Sequence, residues 1–220
     1  VQTCALPILD EKNVTLTAGN HEYRRVVADL NQRVGESSAF RMAGMYTKAD
    51  NNGAGSSIDK NGFAAAFRTG IGEQHEFMAS IYHLDNDNGM NYGLPWIKPR
   101  ATDTGATNTV ISGLDPASYY GMASDYNAGQ ANIGTVAHTF RLSADTELKT
   151  QVRKGEYKRD QHAGTVRFAG VGTTPTTNPA AVDLSNFGPN TVFTRGLNLK
   201  IQDLDTVQAQ SDFSSKFAAF

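Results

Sequence analysis

The sequence predicts an all-β protein, an antiparallel up-and-down meander of about eight long strands that forms an incomplete part of a transmembrane β-barrel. Three observations predict it. Apolar and polar residues alternate with period 2 in successive segments, the signature of strands with two different faces. Tight turns alternate strictly with long polar loops. The segments, at roughly 10 to 14 residues, are long for a sandwich but suit a tilted membrane span.

Taken in order, residues 13–19 (NVTLTAG) form a short alternating strand, and a brief turn follows at Asn20. In residues 23–34, Val26, Ala28, Leu30 and Val34 share one face, opposite Arg25, Asp29, Asn31 and Arg33. A helix over the same residues would mix charged and apolar side chains on each face. After a turn at 35–38, residues 39–48 align Phe40, Met42, Gly44 and Tyr46. A polar loop, 49–60, precedes a strand over 61–71 carrying Phe63, Ala65, Phe67 and Ile71. Residues 72–74 turn the chain, and 75–84 return with Phe77, Ala79 and Ile81. The longest loop then runs over 85–130. Residues 132–143 set Val136, Phe140 and Leu142 against Thr135, Thr139 and Arg141. Ala144-Asp145 is hairpin chemistry, and residues 146–159 return with Glu147, Lys149, Gln151 and Arg153 on a polar face. A third loop, 160–194, precedes a last strand over 197–217, where Val207, Ala209, Phe213 and Phe217 oppose Gln208, Gln210, Asp212 and Lys216.

In a meander, the tight connections (35–38, 72–74, 144–145) then fall on one rim and the long ones (49–60, 85–130, 160–194) on the other. Outer-membrane barrels have that asymmetry, with short periplasmic turns and long extracellular loops. No run of 18 apolar residues offers a transmembrane helix. The mean hydropathy is below zero, which a barrel tolerates because lipid-facing and lumen-facing residues average out. A net charge of −2 and scattered Lys and Arg exclude the basic platform of a nucleic-acid binder.

Residues 1–8 (VQTCALPI) match the translation of a sequencing-adapter end and read as an artefact at a contig edge; they hold the single cysteine, Cys4. Residues 9–220 read as a fragment that begins and ends inside a longer protein. His21, His75, His83, His138 and His162 lack metal-site spacing. Asp85-Asn-Asp-Asn-Gly89 imitates a calcium loop, but Trp96 stands where the closing acid belongs. No hydrolase, metalloprotease or phosphate-loop motif occurs. Catalysis is not expected.

Three segments carry a family resemblance: AFRMAGMYTKAD (39–50), YHLDNDNGMNYGLPWI (82–97) and YYGMASDYNAGQANIGTVAHTF (119–140). They resemble TonB-dependent siderophore receptors, most closely those of catecholate type. In that family a strand ends in Leu-Asp, a loop carries a Gly-Leu-Pro element, and a Tyr-Gly-x-x-Ser-Asp-Tyr element precedes the next strand. Here these correspond to Asp85, residues 92–95 and residues 120–126. The resemblance covers residues 10–220. It implies a 22-stranded barrel, a size at which the lumen is plugged, of which this chain holds the early strands without the plug. It also implies residence in the bacterial outer membrane, contact with membrane lipid, a ferric siderophore as ligand, and energy delivered by the TonB complex through the plug.

The candidate ligand residues are aromatic and cationic. Tyr92, Trp96, Tyr119, Tyr120 and Tyr126 either belong to an interfacial girdle and the packing of the loop, or wall a pocket for electron-rich rings. Lys98 and Arg100, with Arg159, His162 and Arg167 from the next loop, are either solvated surface or the positive charge a ferric triscatecholate requires. No cofactor is implied, since the iron arrives wrapped in its chelator. Two alternatives remain open: another outer-membrane barrel, such as a porin or an autotransporter translocator, and a soluble secreted β-sandwich that binds glycans through Trp96 and the tyrosines. The barrel reading further predicts one curved sheet that does not close, with an unpaired edge at each end.

Overall fold

The computed structural model describes residues 10–51, 56–91, 93–170, 178 and 181–216. The adapter-like residues 1–8, Tyr92, Phe217 and most of the Thr/Pro-rich stretch at 173–179 lie outside the described residues. The strands are β1 (Glu11–Ala18), β2 (Arg24–Arg33), β3 (Ser38–Asn51), β4 (Ser56–Thr69), β5 (His75–Asn88), the two-residue β6 (Trp96–Ile97) and β7 (Thr109–Val110), β8 (Tyr126–Ser143), β9 (Thr146–Phe168) and β10 (Phe193–Ser215).

Eight of them form one antiparallel sheet in the order β1-β2-β3-β4-β5-β8-β9-β10. Every neighbour in the main sheet is the next long strand in the chain, which is the expected meander. β6 and β7 pair separately. The sheet is a single layer, not the two packed sheets of a sandwich. Large apolar side chains stand exposed along one of its faces, among them Met42, Phe63, Phe67, Phe77, Ile81, Val136 and Val152. That rules out the soluble-sandwich reading.

The strands run further than their apolar pattern. β9 continues to Phe168 rather than 159, β5 to Asn88, β8 begins at Tyr126, and β4 begins at Ser56. The connection between β5 and β8 shrinks to residues 89–125, and the strands flanking the other two long loops reach further into them than expected. The reason is solvation. Beyond the membrane both faces of a strand meet water, so alternation fades while the backbone ladder persists; residues 156–162 (EYKRDQH) pair without interruption on both sides. Tyr126, Arg159, His162 and Arg167 accordingly stand on strands and not in loops.

Register assigns the faces. Pairing sets Phe40 beside Phe67, Phe67 beside Ala79, Ala79 beside Val136, and Val136 beside Val152. Because successive residues alternate faces, this row and its neighbours define an apolar outer face. Nearer the tight turns, Phe77, His138, His75 and Phe140 form a run of stacked rings, with centroids 4.5 to 5.3 Å apart in successive pairs. They occupy the place of an interfacial girdle.

The opposite face is polar and knitted by ions. Asp29 pairs with Arg41. Glu76 pairs with Arg68 and, at 2.7 Å, with Arg141, while Arg141 Nε lies 3.8 Å from Glu147. The tight turns are stitched side by side: Ile71 N donates to Ser37 O, and Arg141 N to Gln74 O. Gly70 is required there, since at φ +70° a Cβ would stand 2.1 Å from the His75 carbonyl oxygen.

β1 pairs only with β2 and β10 only with β9 among the described residues, and β1 is exposed along its whole length. Open edges template association with other chains. Expressed alone without detergent, residues 10–220 are therefore expected to sediment as aggregates; a monodisperse monomer with a cooperative melt would refute the open sheet. In the full-length protein, Glu76→Ala leaves Arg68 and Arg141 without their shared carboxylate. It should cost about 3 kcal/mol, read as a lower denaturant midpoint in detergent.

Candidate functional site

Residues 89–125 link β5 to β8 and form a small folded unit. Trp96 pairs with Val110 and Ile97 with Thr109, and Ile111 N donates to Pro95 O. Ile97 and Ile111 are buried, 1% and 2% exposed, and give the loop its own apolar centre. Trp96 faces the other way and is 61% exposed. Further along, Asp115 caps a turn by accepting from Ala117 N and Ser118 Oγ, and its carbonyl accepts from the Tyr120 hydroxyl at 3.0 Å.

Asp125 fastens this unit to β9. Its carboxylate accepts from Met122 N (2.9 Å), Gly164 N (2.8 Å), the Tyr119 hydroxyl (2.8 Å) and His162 Nδ1 (3.2 Å). The side chain is only 2% exposed. Burial alone would push this carboxyl up, but the Met122 and Gly164 amides, Tyr119 and His162 together hold it below its ordinary value. The Tyr119 hydroxyl moves the other way, raised by burial and by the adjacent carboxylate. Tyr126 stacks on His162 at 5.8 Å.

A second carboxylate joins this loop to the one after β9. Asp183 accepts from Ser185 Oγ and N and from Ala101 N at 2.8 Å. Leu184 N donates to Lys98 O. The Asp183 carboxyl is lowered, first by the Ser185 hydroxyl and then by the Ser185 amide.

The candidates therefore divide. Tyr119, Tyr126 and His162 gather around Asp125, and Trp96 lines a small cleft with Asp125, Gly164 and Val166. Tyr120 closes its own turn. Lys98 sits at the seam between the two loops, and Arg100 is exposed beside it. By alternation along β8 and β9, Tyr126 and His162 share the parity of the outer face, whereas Arg159 and Arg167 share that of the inner face. Arg159 is bonded to Gln161. The cleft beside Trp96 holds about 140 Å³, well below the roughly 300 to 1,000 Å³ of a small-molecule pocket. The nine described candidates do not converge on one cavity; what they share is the long-loop end of the sheet.

Asp125 and Asp183 carried no assigned role in the sequence. Signals existed for both. Asp125 lies inside the Ser-Asp-Tyr element, and Asp183-Leu-Ser-Asn is an Asx-turn sequence. Neither shows that the carboxylate reaches a segment 39 or 82 residues away. Among the described residues no group of three or more metal-ligating side chains occurs.

Because the folded Asp125 carboxyl titrates below its ordinary 3.8, its contribution to the clasp is complete above that pH and is lost as pH falls through the lowered value. Amide exchange over 115–125 is expected to be slow at pH 6 to 7, after correction for intrinsic rates, and to accelerate only once the pH falls below the ordinary carboxyl value. Asp125→Ala should bring the acceleration to neutral pH, by roughly 30-fold for a loss of about 2 kcal/mol. Unchanged exchange would show that the loop is held elsewhere.

No family model matches the chain. Among curated proteins it is similar to the catecholate siderophore receptor Fiu of Escherichia coli O157:H7, with 24% identity over 153 residues, 67% of this chain and 20% of the receptor. The match to the same receptor of strain K12 has the same identity and coverage. The chain thus spans about a fifth of the length of these relatives. Among solved structures, the ferric-catecholate import receptor Fiu of E. coli K12 superposes with a TM-score of 0.75 at 21% identity, covering 93% of this chain and 31% of that one. The siderophore receptor PiuA of Acinetobacter baumannii gives 0.70 at 18%, covering 92% and 27%. The chain thus has the fold of part of these receptors' barrels, and its sequence is similar to that of a catecholate siderophore receptor.

Proposed function

We propose that the chain is part of an outer-membrane receptor that takes up ferric siderophores of catecholate type, recognising them with its extracellular loops and drawing on the TonB complex for transport. The similarity to catecholate siderophore receptors over 153 residues carries this reading. The folded loop unit is what supports it structurally. A ferric triscatecholate is a bulky polyanion with aromatic ligands, so it calls for an open surface bearing cations and π-faces rather than an enclosed pocket. Trp96, Lys98 and Arg100 supply such a surface on the outer rim. Arg159 and Arg167 supply positive charge on the inner wall beneath it, where a ligand moving toward the lumen would meet them. Tyr119, Tyr120, Tyr126 and His162 act through the clasps that hold the loop in shape. The iron is cargo, and TonB acts on regions of the full-length protein beyond these strands.

The full-length protein in detergent is expected to bind a ferric triscatecholate in preference to a ferric hydroxamate. Trp96→Ala and Arg100→Ala should each weaken binding about tenfold, or ~1.4 kcal/mol. Uptake of radioactive iron by intact cells should stop when TonB is deleted while surface binding persists. Equal binding of the hydroxamate would remove the catecholate assignment. Uncoupled passage of small solutes would point to a porin.

A further inference from the structure

The outer face of the sheet carries a trough that ligand recognition does not use. Register places Met42, Ala65, Ile81, Gly134 and Lys154 in one row across β3, β4, β5, β8 and β9. The next row toward the tight turns runs through Phe67, Ala79 and Val136. Three of these positions are small: Ala65, Ala79 and Gly134. Larger neighbours rise around them, so the surface dips into an open depression of about 590 Å³ with an almost wholly apolar lining.

One end of the trough is charged. Lys154 lines it, with its side chain 63% exposed. A lysine on the lipid face of a barrel costs about 2 to 4 kcal/mol at the bilayer midplane but little near the interface. Lys154 stands one row inside the polar row of His83, Asn132 and Glu156, and it reaches up to Glu156 Oε1 at 2.6 Å. Its ammonium therefore sits at the depth where the apolar band ends. An ammonium has three donors, of which Glu156 takes one.

We propose that this trough binds one phosphate-bearing lipid, with an acyl chain over Ala65, Ala79 and Gly134 and the phosphate on Lys154. The shape suits a flexible hydrocarbon chain, because a run of small residues between Phe67, Ile81 and Val136 offers contact on three sides. The charge suits the head, because lysine is an effective point-charge partner for phosphate and lies at headgroup depth. The site needs only the barrel fold and is independent of what the loops bind.

Gly134 allows a clean test. A Cβ there would meet no atom within 4 Å, so Gly134→Leu fills the trough without straining the sheet. The full-length protein in neutral detergent would be titrated with phosphatidylglycerol and examined by native mass spectrometry. Diacylglycerol of the same chains and inorganic phosphate serve as separate probes. One phosphatidylglycerol is expected to stay bound, with occupancy falling about tenfold in Gly134→Leu and in Lys154→Met and recovering in Lys154→Arg. Thermal unfolding of each variant reports whether the barrel is intact. Unchanged occupancy in both variants would overturn the site, and so would equal retention of diacylglycerol. Competition by inorganic phosphate alone would reduce it to a free-anion site and overturn the acyl component. Ferric-chelate binding, measured in parallel, should not move in these variants, so a failure here leaves the receptor reading intact.

Discussion

The backbone hydrogen-bond ladder is what the rest of this molecule depends on. Within hydrocarbon no water can pair with an N–H or C=O, so each strand must find both of its neighbours along the chain. β3 is paired over Ser38–Asn51 to β4, and β5 over His75–Asn88 to β8, without a gap. Once that ladder exists, the pleat alone sorts every side chain to lipid or lumen. The ion pairs of Glu76, the apolar rows and the stacked rings near the turns all follow from register rather than from a packed interior. The largest fully buried side chains are Ile97, in the loop, and Gln161, on a strand above the apolar band.

The loop unit is organised by the opposite logic. It is too short to bury much, so it is held by concentrated polar anchors. Asp125 and Asp183 each collect several donors, of which Gly164 N and His162 Nδ1 for the first and Ala101 N for the second come from distant segments, and each is desolvated enough for those bonds to count. A rigid frame below and two carboxylate rivets above leave Trp96 displayed at the rim. The consequence is a loop surface shaped by backbone placement, with Trp96 and Arg100 exposed on it.

Legibility in the sequence followed the solvent. Where one face meets lipid and the other a wet lumen, as at Phe63, Ala65 and Phe67, alternation was plain and the meander could be read directly. Where both faces meet water, as over Glu156 to His162, the pattern vanished although the strand did not, and the long loops looked longer than they are. Ile71 fell into the turn because Gly70 needs a backbone that no strand supplies. The site was legible only in part. The Gly-Leu-Pro and Ser-Asp-Tyr elements located the loop, yet the split of Tyr126 and His162 from Arg159 and Arg167 is a matter of parity along an extended strand. The reach of Asp183 to Ala101 is tertiary, and nothing local encodes it.

The β9–β10 ribbon has one further consequence. Its 23 pairs run unbroken from Ser215 to Phe193. A tilted span consumes only about 9 to 11 residues, so about a dozen remain, at ~3.3 Å each. The ribbon therefore stands like a parapet above the bilayer. The loop unit is carried near that crest: the cleft beside Trp96 is lined by Gly164, Thr165 and Val166, a few residues short of the end of β9 at Phe168, and Ala101 is bonded to Asp183 beyond it. The ribbon's length thus sets how far above the headgroups Trp96 stands.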